Sequence, residues 1–257
     1  MKIFATYNIK GGVGKTATAV NLGYLAARDG YRVLLWDLDP QAATSFLFRI
    51  RPRVKGGGKA LIRGSRTIDD AIKATDFDHL DLLPADFTYR NLDLMLDAAK
   101  KPARRLGGLL APLSAEYDVI FLDCPPGISL LSESVLQTAD AVLVPLIPTT
   151  LSVRTLDQLT EFIGDLDGSR PSILAFFSMI DRRKRLHREI LEQLPAQRDD
   201  VASAAIPALS LIEQMSVERA PVTAFAPRSA AARRYEELWL EVRKRSGLPP
   251  PPPVGTW

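Results

Sequence analysis

Short apolar runs of strand length recur along the chain, and longer segments with helical periodicity lie between them. Such alternation is typical of parallel strands joined by crossover helices, so we expect an α/β fold with a mostly parallel sheet and helices on both faces. Gly30 is expected to end the first helix. One face of that helix is formed by Ala19, Leu22, Gly23 and Ala26. The predicted strands are residues 3–7, 32–37, 80–84, 118–123, 141–145, 172–179 and 201–206.

A basic segment interrupts this alternation. Residues 49–66 contain seven basic residues and no acidic ones, and they include the run Gly56-Gly57-Gly58. Glycine runs are typical of segments without fixed structure. The segment is therefore predicted to be a mobile loop within one domain and not a linker between two domains.

The C-terminal region has a different pattern. Apolar side chains recur there at helical spacing and predict a closing helix, and the prolines at 249–253 stop it. We expect a single domain over residues 1–246 and a proline-rich tail over residues 247–257. The apolar positions of the closing helix are Tyr235, Leu238, Trp239 and Val242.

Composition and charge narrow the possible classes of protein. The chain has 257 residues, of which 46% are hydrophobic and 25% charged, as expected of an ordered globular protein. The net charge of +3 excludes an overall polycation, so affinity for nucleic acid must come from local clusters. A single cysteine, Cys124, and two histidines exclude an internal disulfide and a Cys/His metal cluster.

No membrane span or signal peptide is predicted. The longest strongly apolar stretch, residues 141–148, is much shorter than the roughly 20 residues that a membrane helix needs. The N-terminal apolar run is short and is followed by Lys10 without a small-residue cleavage site, so it is expected to form a buried first strand. These features predict a cytoplasmic protein.

A glycine-rich loop lies between the first predicted strand and the first predicted helix, the context in which phosphate-binding loops occur. Its glycines allow successive backbone N–H groups to curve around phosphates, and the helix N-terminus adds partial positive charge. In such a loop the final lysine contacts the β- and γ-phosphates, and the hydroxyl that follows it can bind Mg²⁺. The loop reads Lys10-Gly11-Gly12-Val13-Gly14-Lys15-Thr16.

Carboxylates lie at the ends of two other predicted strands. The second strand ends in the sequence 37–41, which contains Asp37 and Asp39, and Asp123 ends the strand that begins at residue 118. Ligands bind at the carboxyl ends of strands in open α/β sheets. A carboxylate at the end of a buried strand requires a cation or hydrogen-bond donors, so these aspartates are candidates for handling metal and water.

The loop resembles that of the deviant Walker A family of P-loop ATPases, which includes ParA, MinD and the nitrogenase iron protein and has the pattern K-G-G-x-G-K-[ST]. Position 9 is Ile9, where the general P-loop pattern has glycine. The resemblance implies a P-loop NTPase fold, ATP and Mg²⁺ as cofactors, and a homodimer in the ATP state. Lys10 would then reach the phosphates of the neighbouring subunit.

The same resemblance assigns roles to the aspartates and to residues that would lie next to the nucleotide base. Asp39 would orient the attacking water, Asp123 would hold Mg²⁺ through water, and Asp37 would support the metal site. Thr16 would be a direct Mg²⁺ ligand. Weaker matches extend over roughly residues 1–245. The implied nucleotide contacts are Gly11, Gly12, Val13, Gly14, Lys15, Thr16, Ala17, Met179, Asp181 and Pro207.

Three functions remain open. The favoured one is an ATP-gated dimer that positions a plasmid, a chromosome or a protein cargo, with an adaptor or centromere-binding protein that stimulates its ATPase. It would bind DNA without sequence preference and associate with the nucleoid in the ATP state, although residues 208–211 lack the basic side chains that many ParA sequences carry there. The predicted DNA contacts are Arg182, Arg183, Arg185 and Arg188.

The two alternatives are a MinD-like regulator that cycles on a membrane and a metabolic or metal-cluster relative. The first would require the C-terminal helix to bind lipid, and we favour a core helix there because the following prolines do not suit a bilayer surface. The second is disfavoured because Cys124 alone cannot supply a cluster of cysteine ligands.

Overall fold

One sheet forms the centre of the computed structural model, which describes residues 1–65, 67–98 and 102–251. Within those residues its eight strands have the order β3-β4-β2-β5-β1-β6-β7-β8, and all neighbours are parallel except β3 and β4. The strands are β1 (Lys2–Thr6), β2 (Val33–Asp37), β3 (Lys73–Ala74), β4 (Leu80–Leu83), β5 (Val119–Asp123), β6 (Ala141–Leu146), β7 (Ser172–Ile180) and β8 (Val201–Pro207).

Every strand predicted from the sequence is present, and the predicted α/β fold is confirmed. β3 was not predicted, because two exposed residues are too short to carry a period-two signal. The strands in the middle of the sheet are buried along their whole length because helices cover both faces. The carboxyl ends of β1, β2 and β5 meet at one edge, where Thr6 and Asp37 are both in register with Asp123.

Helices lie on both faces of the sheet. The face that includes Phe4 and Phe121 packs against α1, α11 and α12, and the face that includes Ile3 and Ile120 packs against α4 to α8. The helices are α1 (Lys15–Arg28), α2 (Ala43–Leu47), α3 (Gly57–Arg63), α4 (Leu92–Asp97), α5 (Arg105–Leu110), α6 (Leu130–Thr138), α7 (Thr150–Gly164), α8 (Arg185–Gln197), α9 (Ser210–Glu213), α10 (Met215–Glu218), α11 (Val222–Phe225) and α12 (Ala230–Ser246).

Helix α1 lies close to the sheet because its contact face is small. A Cβ added at Gly23 would lie 2.9 Å from the Cδ2 atom of Leu35 on β2, so a larger residue would force the helix away. The predicted face of small residues is therefore confirmed. This close approach holds the N-terminus of α1 directly behind the end of β1.

The prediction of a mobile loop over residues 49–66 was wrong. Residues 57–63 form α3, and the glycine run allows this helix to pack closely against its neighbours. Gly56 takes a left-handed conformation before the helix (φ 86°), and a Cβ added at Gly57 would lie 2.7 Å from the Oγ1 atom of Thr88. A glycine run thus permits close contact here. Arg66 lies outside the described residues.

Helix α12 closes the domain as a core helix. Its predicted apolar positions are all buried, and it packs against β8 and α1. The indole N–H of Trp239 donates to the carboxylate of Asp29 at 2.9 Å. Beyond the helix, the carbonyl of Pro249 accepts a hydrogen bond from the Tyr31 hydroxyl. Residues 252–257 of the predicted tail lie outside the described residues, and its separation from the domain stays a prediction.

The buried apolar side chains of α12 support the core-helix interpretation over a membrane-binding one. Among the residues described, the fold contains no helix long and apolar enough to cross a bilayer.

Candidate functional site

The loop between β1 and α1 presents free backbone donors to an open cavity. Gly12 and Gly14 adopt left-handed conformations (φ 70° and 96°), and a Cβ added at Gly14 would lie 2.8 Å from the Ser178 Oγ atom. No atom of a described residue lies within 4 Å of a Cβ added at Gly11 or Gly12. In the described part of the chain, the backbone N–H groups of residues 11–17 find no hydrogen-bond acceptor. Consecutive free N–H groups on such a curved loop are suited to bind an anion.

Lys15 lies beneath this loop, and its hydrogen-bond partners among the described residues are all carbonyl groups. Its Nζ atom donates to the Lys10 carbonyl at 2.9 Å and to the Asn8 carbonyl at 3.4 Å. The side chain is 7% exposed, and burial lowers its pKa, although the nearby Asp123 acts in the opposite direction. A buried ammonium group without an ion-pair partner among the described residues is well placed to receive an anionic ligand.

Asn8 fixes the start of the loop. Its side-chain amide donates to the Pro145 carbonyl at 2.8 Å, and its Oδ1 atom accepts from the backbone N–H of Lys10 at 2.9 Å. This buried side chain therefore connects the loop to the end of β6. The Lys10 side chain is half-buried and forms no ion pair within the described ranges.

Three hydroxyl groups of the described residues donate to Asp123 at the end of β5, and the longest of these bonds runs from Thr6 Oγ1 to Asp123 Oδ1 at 3.4 Å. The Thr16 Oγ1 atom lies 2.8 Å from Asp123 Oδ2, and the Thr44 Oγ1 atom, on α2, lies 2.7 Å from the same oxygen. Asp123 is almost fully buried. Burial raises its pKa to about 6, because the charged form loses its hydration.

Asp37 occupies the neighbouring strand end and is held by α2. Its Oδ2 atom accepts from both the backbone N–H and the hydroxyl of Ser45, each at 2.7 Å. Burial raises the pKa of Asp37 to about 7, and the charge of Asp123 adds to the effect. Two adjacent buried carboxylates require a nearby cation if both are to remain ionised.

The donor set fits Mg²⁺ bound together with a phosphate ligand. No group of three or more His, Cys, Asp or Glu side chains in the described residues could hold a metal ion. Mg²⁺ is usually bound by one or two carboxylates together with substrate phosphates and water, and it keeps several of those waters. The Thr16 hydroxyl and the Asp123 carboxylate, beside the free loop donors, match that requirement.

A cavity of about 390 Å³ extends from the loop to the ends of β7 and β8. Asp39 lines it at the end next to the loop, which we call the phosphate side. There its Oδ1 atom accepts from the Gln41 backbone N–H at 2.9 Å. The opposite end, which we call the base side, is mainly apolar. Met179 takes a left-handed conformation there (φ 55°), which is rare outside glycine. Predicted nucleotide contacts that line the cavity are Gly11, Gly12, Gly14, Lys15, Thr16, Ala17, Met179 and Pro207.

Two predicted nucleotide contacts do not line the cavity with their side chains. The side chain of Val13 is buried in the protein and does not line the cavity. Asp181 does not line the cavity either, and its carboxylate forms an ion pair with the Arg183 guanidinium at 3.1 Å. Its backbone N–H donates to the Nδ1 atom of His187. The structure thus gives the Asp181 side chain a partner in its own chain.

Residues 1–176 match the family model described as an AAA domain. The chromosome partitioning protein ParA of Caulobacter vibrioides is 32% identical over 253 residues, which cover 95% of this chain and 95% of that protein. The chain belongs to the ParA family of P-loop ATPases. The recognition made from the loop sequence is therefore confirmed.

Solved structures of similar proteins contain nucleotides. A plasmid partition protein from Borrelia burgdorferi bound to AMPPNP is 25% identical with a TM-score of 0.82, over 95% of this chain and 98% of that one. Cobyrinic acid a,c-diamide synthase from Mycobacterium smegmatis, bound to ADP and magnesium, is 27% identical with a TM-score of 0.79, over 98% and 100% of the two chains. The ParA-family fold thus serves proteins of different function.

The predicted DNA surface of this ParA-family chain is exposed at the start of α8. Arg182 and Arg188 form no ion pair with a described residue, whereas Arg183 pairs with Asp181 and Arg185 pairs with Glu189 at 2.6 Å. The cluster is therefore less positive than its sequence suggests. Arg182 and Arg188 keep their charge free for a partner.

Sequence reasoning missed four polar residues of the site. Thr44 and Ser45 follow Asp39 closely, so their position after a strand-end aspartate was an available signal. Asn8 and Ser178 had no such signal, because Asn8 bonds to Pro145 and Ser178 lies against Gly14, both of which are distant in sequence. The Cys124 thiol is buried, and burial raises its pKa well above the usual value, so this side chain packs in the core and is not an activated nucleophile.

Proposed function

We propose that this chain binds ATP with Mg²⁺ in the cavity behind the loop and hydrolyses it, and that it uses the cycle to move or position a cargo. The free backbone N–H groups of residues 11–17 carry this proposal, since they surround an open space next to a buried lysine. The N–H groups would bind phosphate oxygens, and Lys15 would add a positive charge.

The metal would be held between Thr16 and Asp123. Bound Mg²⁺ supplies positive charge that stabilises the developing charge on the transferred phosphoryl group. Thr44 donates to Asp123 and keeps that carboxylate oriented, while Ser45 does the same for Asp37. Asp37 would support the site from beneath without direct contact.

Hydrolysis would proceed by direct attack of water. Asp39 is half-buried and lines the cavity on the phosphate side, which suits the role of positioning that water. A covalent intermediate on Cys124 is disfavoured, because burial keeps its thiol protonated.

ATP would also join two copies of the chain. Lys10 is held near the loop by the contact of its backbone with Asn8, while its side chain is free of ion pairs to described residues. We infer that this side chain contacts the phosphates bound by the partner subunit. The homodimer would then form only when ATP is bound.

The cargo function is DNA partition or positioning. A chromosome partitioning protein is 32% identical over nearly the whole chain, and this similarity supports the same class of function here. An ATP dimer would present two copies of the exposed arginines 182–188 to one duplex, so DNA affinity would rise without base-specific contacts. An adaptor or centromere-binding protein would stimulate hydrolysis.

Gel shifts on unrelated duplexes test the DNA step, run with ATP and with ADP at several salt concentrations. We expect an ATP-dependent shift that weakens steeply as salt rises. Replacing Arg182 and Arg188 with glutamate should weaken it without changing the ATP-driven dimer. The matched control replaces Arg154, on α7, and Arg170, after α7, with glutamate. No shift with ATP at low salt would contradict the DNA-track proposal.

A further inference from the structure

Helix α2 holds both buried carboxylates of the site. It carries Thr44, which donates to Asp123, and Ser45, which donates to Asp37 through its hydroxyl and its backbone N–H. A shift of α2 would therefore move the hydrogen-bond partners of both aspartates together. Whatever fixes the position of α2 influences the metal and water side of the cavity.

Helices α9 and α10 lie on the other side of the cavity. Leu209 and Ile212, at the start of this segment, line the base side. Helix α10 is anchored to α1 by Asn21, whose amide donates to the Met215 Sδ atom at 3.3 Å. The Asn21 Oδ1 atom also accepts from Thr223 on the next helix, α11. The segment thus touches the base side and is fixed to the helix that follows the phosphate loop.

A second cavity of about 440 Å³ lies between α2 and the α9–α10 segment. It shares Thr16, Ala17, Ile212 and Glu213 with the nucleotide cavity. Open space therefore lies between α2 and the α9–α10 segment along that side. Side-chain hydrogen bonds join the two segments at the ends of the helices.

Two arginines make those contacts reciprocally. The Arg219 Nε atom, after α10, donates to the Phe46 carbonyl on α2 at 2.9 Å, and its guanidinium lies 4.6 Å from the centre of the Phe46 ring. In return, the Arg49 Nη2 atom, after α2, donates to the Glu218 carbonyl on α10 at 2.9 Å. We call this pair of arginines with their two carbonyl partners the arginine clasp.

Several features indicate that the clasp is a specific arrangement. Arg49 and Arg219 are both left-handed (φ 60° and 51°), a conformation that is uncommon outside glycine and costs backbone energy. The Arg49 guanidinium is also held by Asp76 at 3.0 Å. The Phe46 carbonyl accepts the Arg49 backbone N–H at 3.1 Å as well as the Arg219 guanidinium, so both arginines meet at the end of α2.

We propose that Arg49 and Arg219 are positioning residues for ATP hydrolysis. They transmit occupation of the base side by a nucleotide to α2, and hence to the hydroxyl donors of the two carboxylates. A ligand with phosphates but no base orders the loop and leaves α2 less fixed. This inference rests on the proposed binding of ATP.

Amide hydrogen exchange of residues 43–49 tests the proposal, measured with no ligand, with magnesium tripolyphosphate and with magnesium AMPPNP, each at saturation. In the natural chain, we expect AMPPNP to slow this exchange about three- to tenfold more than tripolyphosphate does. In the double variant Arg49→Ala, Arg219→Ala, the two ligands should slow it equally. The matched control Arg28→Ala removes an exposed ion pair to Glu236 and should behave as the natural chain.

Steady-state kinetics give a second readout. The double variant should lower kcat about three- to tenfold with a KM for ATP within about twofold of the natural value. The conservative variant Arg49→Lys, Arg219→Lys keeps one charged donor group at each site. Its kcat should lie between the values of the double alanine variant and of the natural chain. A loss of stability alone would raise exchange equally under all three conditions, and it would count against the proposal.

Two results overturn the inference and differ from each other. If AMPPNP still slows residues 43–49 more than tripolyphosphate in the double variant, the clasp does not transmit occupation of the base side. If neither ligand slows exchange of residues 11–17 in the natural chain, the proposed nucleotide site is wrong, and the role of the clasp falls with it.

Discussion

On the phosphate side of the cavity, the charged groups Lys15 and Asp123 are buried and have fixed partners, whereas the base side consists mainly of partly exposed apolar side chains. Lys15 and Asp123 are each held by hydrogen bonds within the chain. Met179, by contrast, is 42% exposed. The phosphate side therefore depends on exact charge placement, and the base side contributes contact area. Changes on the two sides should be separable with ATP and tripolyphosphate as paired ligands, because tripolyphosphate has no base.

The largest effect is expected from Lys15→Ala. Removing the buried ammonium should weaken ATP and tripolyphosphate alike by about 30- to 1000-fold, because both ligands lose the same charge-assisted contact. Titration calorimetry with each ligand measures this. Lys73→Ala on the exposed edge strand is the control and should bind both as before. A selective loss of ATP binding would break the division between the two sides.

Asp39→Ala should separate binding from turnover. We expect ATP to bind normally while kcat falls about 100-fold, since water would lose its positioning group. Phosphate release under single-turnover conditions measures the rate, and filter binding measures the affinity. The exposed Asp78→Ala variant serves as the control. Hydrolysis by Asp39→Ala at the natural rate would remove this residue from the site.

Lys10→Ala tests whether one chain supplies all of the groups that bind the phosphates. If Lys10 acts across a dimer, ATP should still bind, and the ATP-driven dimer should weaken by about tenfold or more. Light scattering with AMPPNP detects the dimer. An unchanged dimer would show that one chain supplies the whole phosphate side. Lys184→Ala, in the exposed turn before α8, is a suitable control.

Met179→Ala should have the smallest effect. The loss of apolar contact on the base side should weaken ATP about three- to tenfold and leave tripolyphosphate binding unchanged. Val217 is 78% exposed on α10 and lies outside the cavity, so Val217→Ala is a matched control for an apolar truncation. Equal losses with both ligands would mean that Met179 supports the loop and not the base.

Much of the phosphate side could be predicted from the sequence because its parts are local. The loop from Lys10 to Thr16 is continuous, and its strand and helix context fixes its position in the fold. Asp37 and Asp123 could be placed as well, because the carboxyl ends of parallel strands meet at one edge. These predictions needed only hydrophobic periodicity and the identity of strand-end residues.

The remaining features were decided by the tertiary structure. Asn8 bonds to Pro145, Thr44 bonds to Asp123, and Arg219 bonds to Phe46, pairs separated by 137, 79 and 173 residues. Spacing along the chain carries no information about such contacts, because they depend on how the helices pack on the sheet. The glycine run at 56–58 was misread for the same reason: its purpose is close contact with residues 88–92, which only the folded chain brings near. The sequence alone thus determined the phosphate loop and the positions of the main strands along the chain, and packing determined which polar side chains support them.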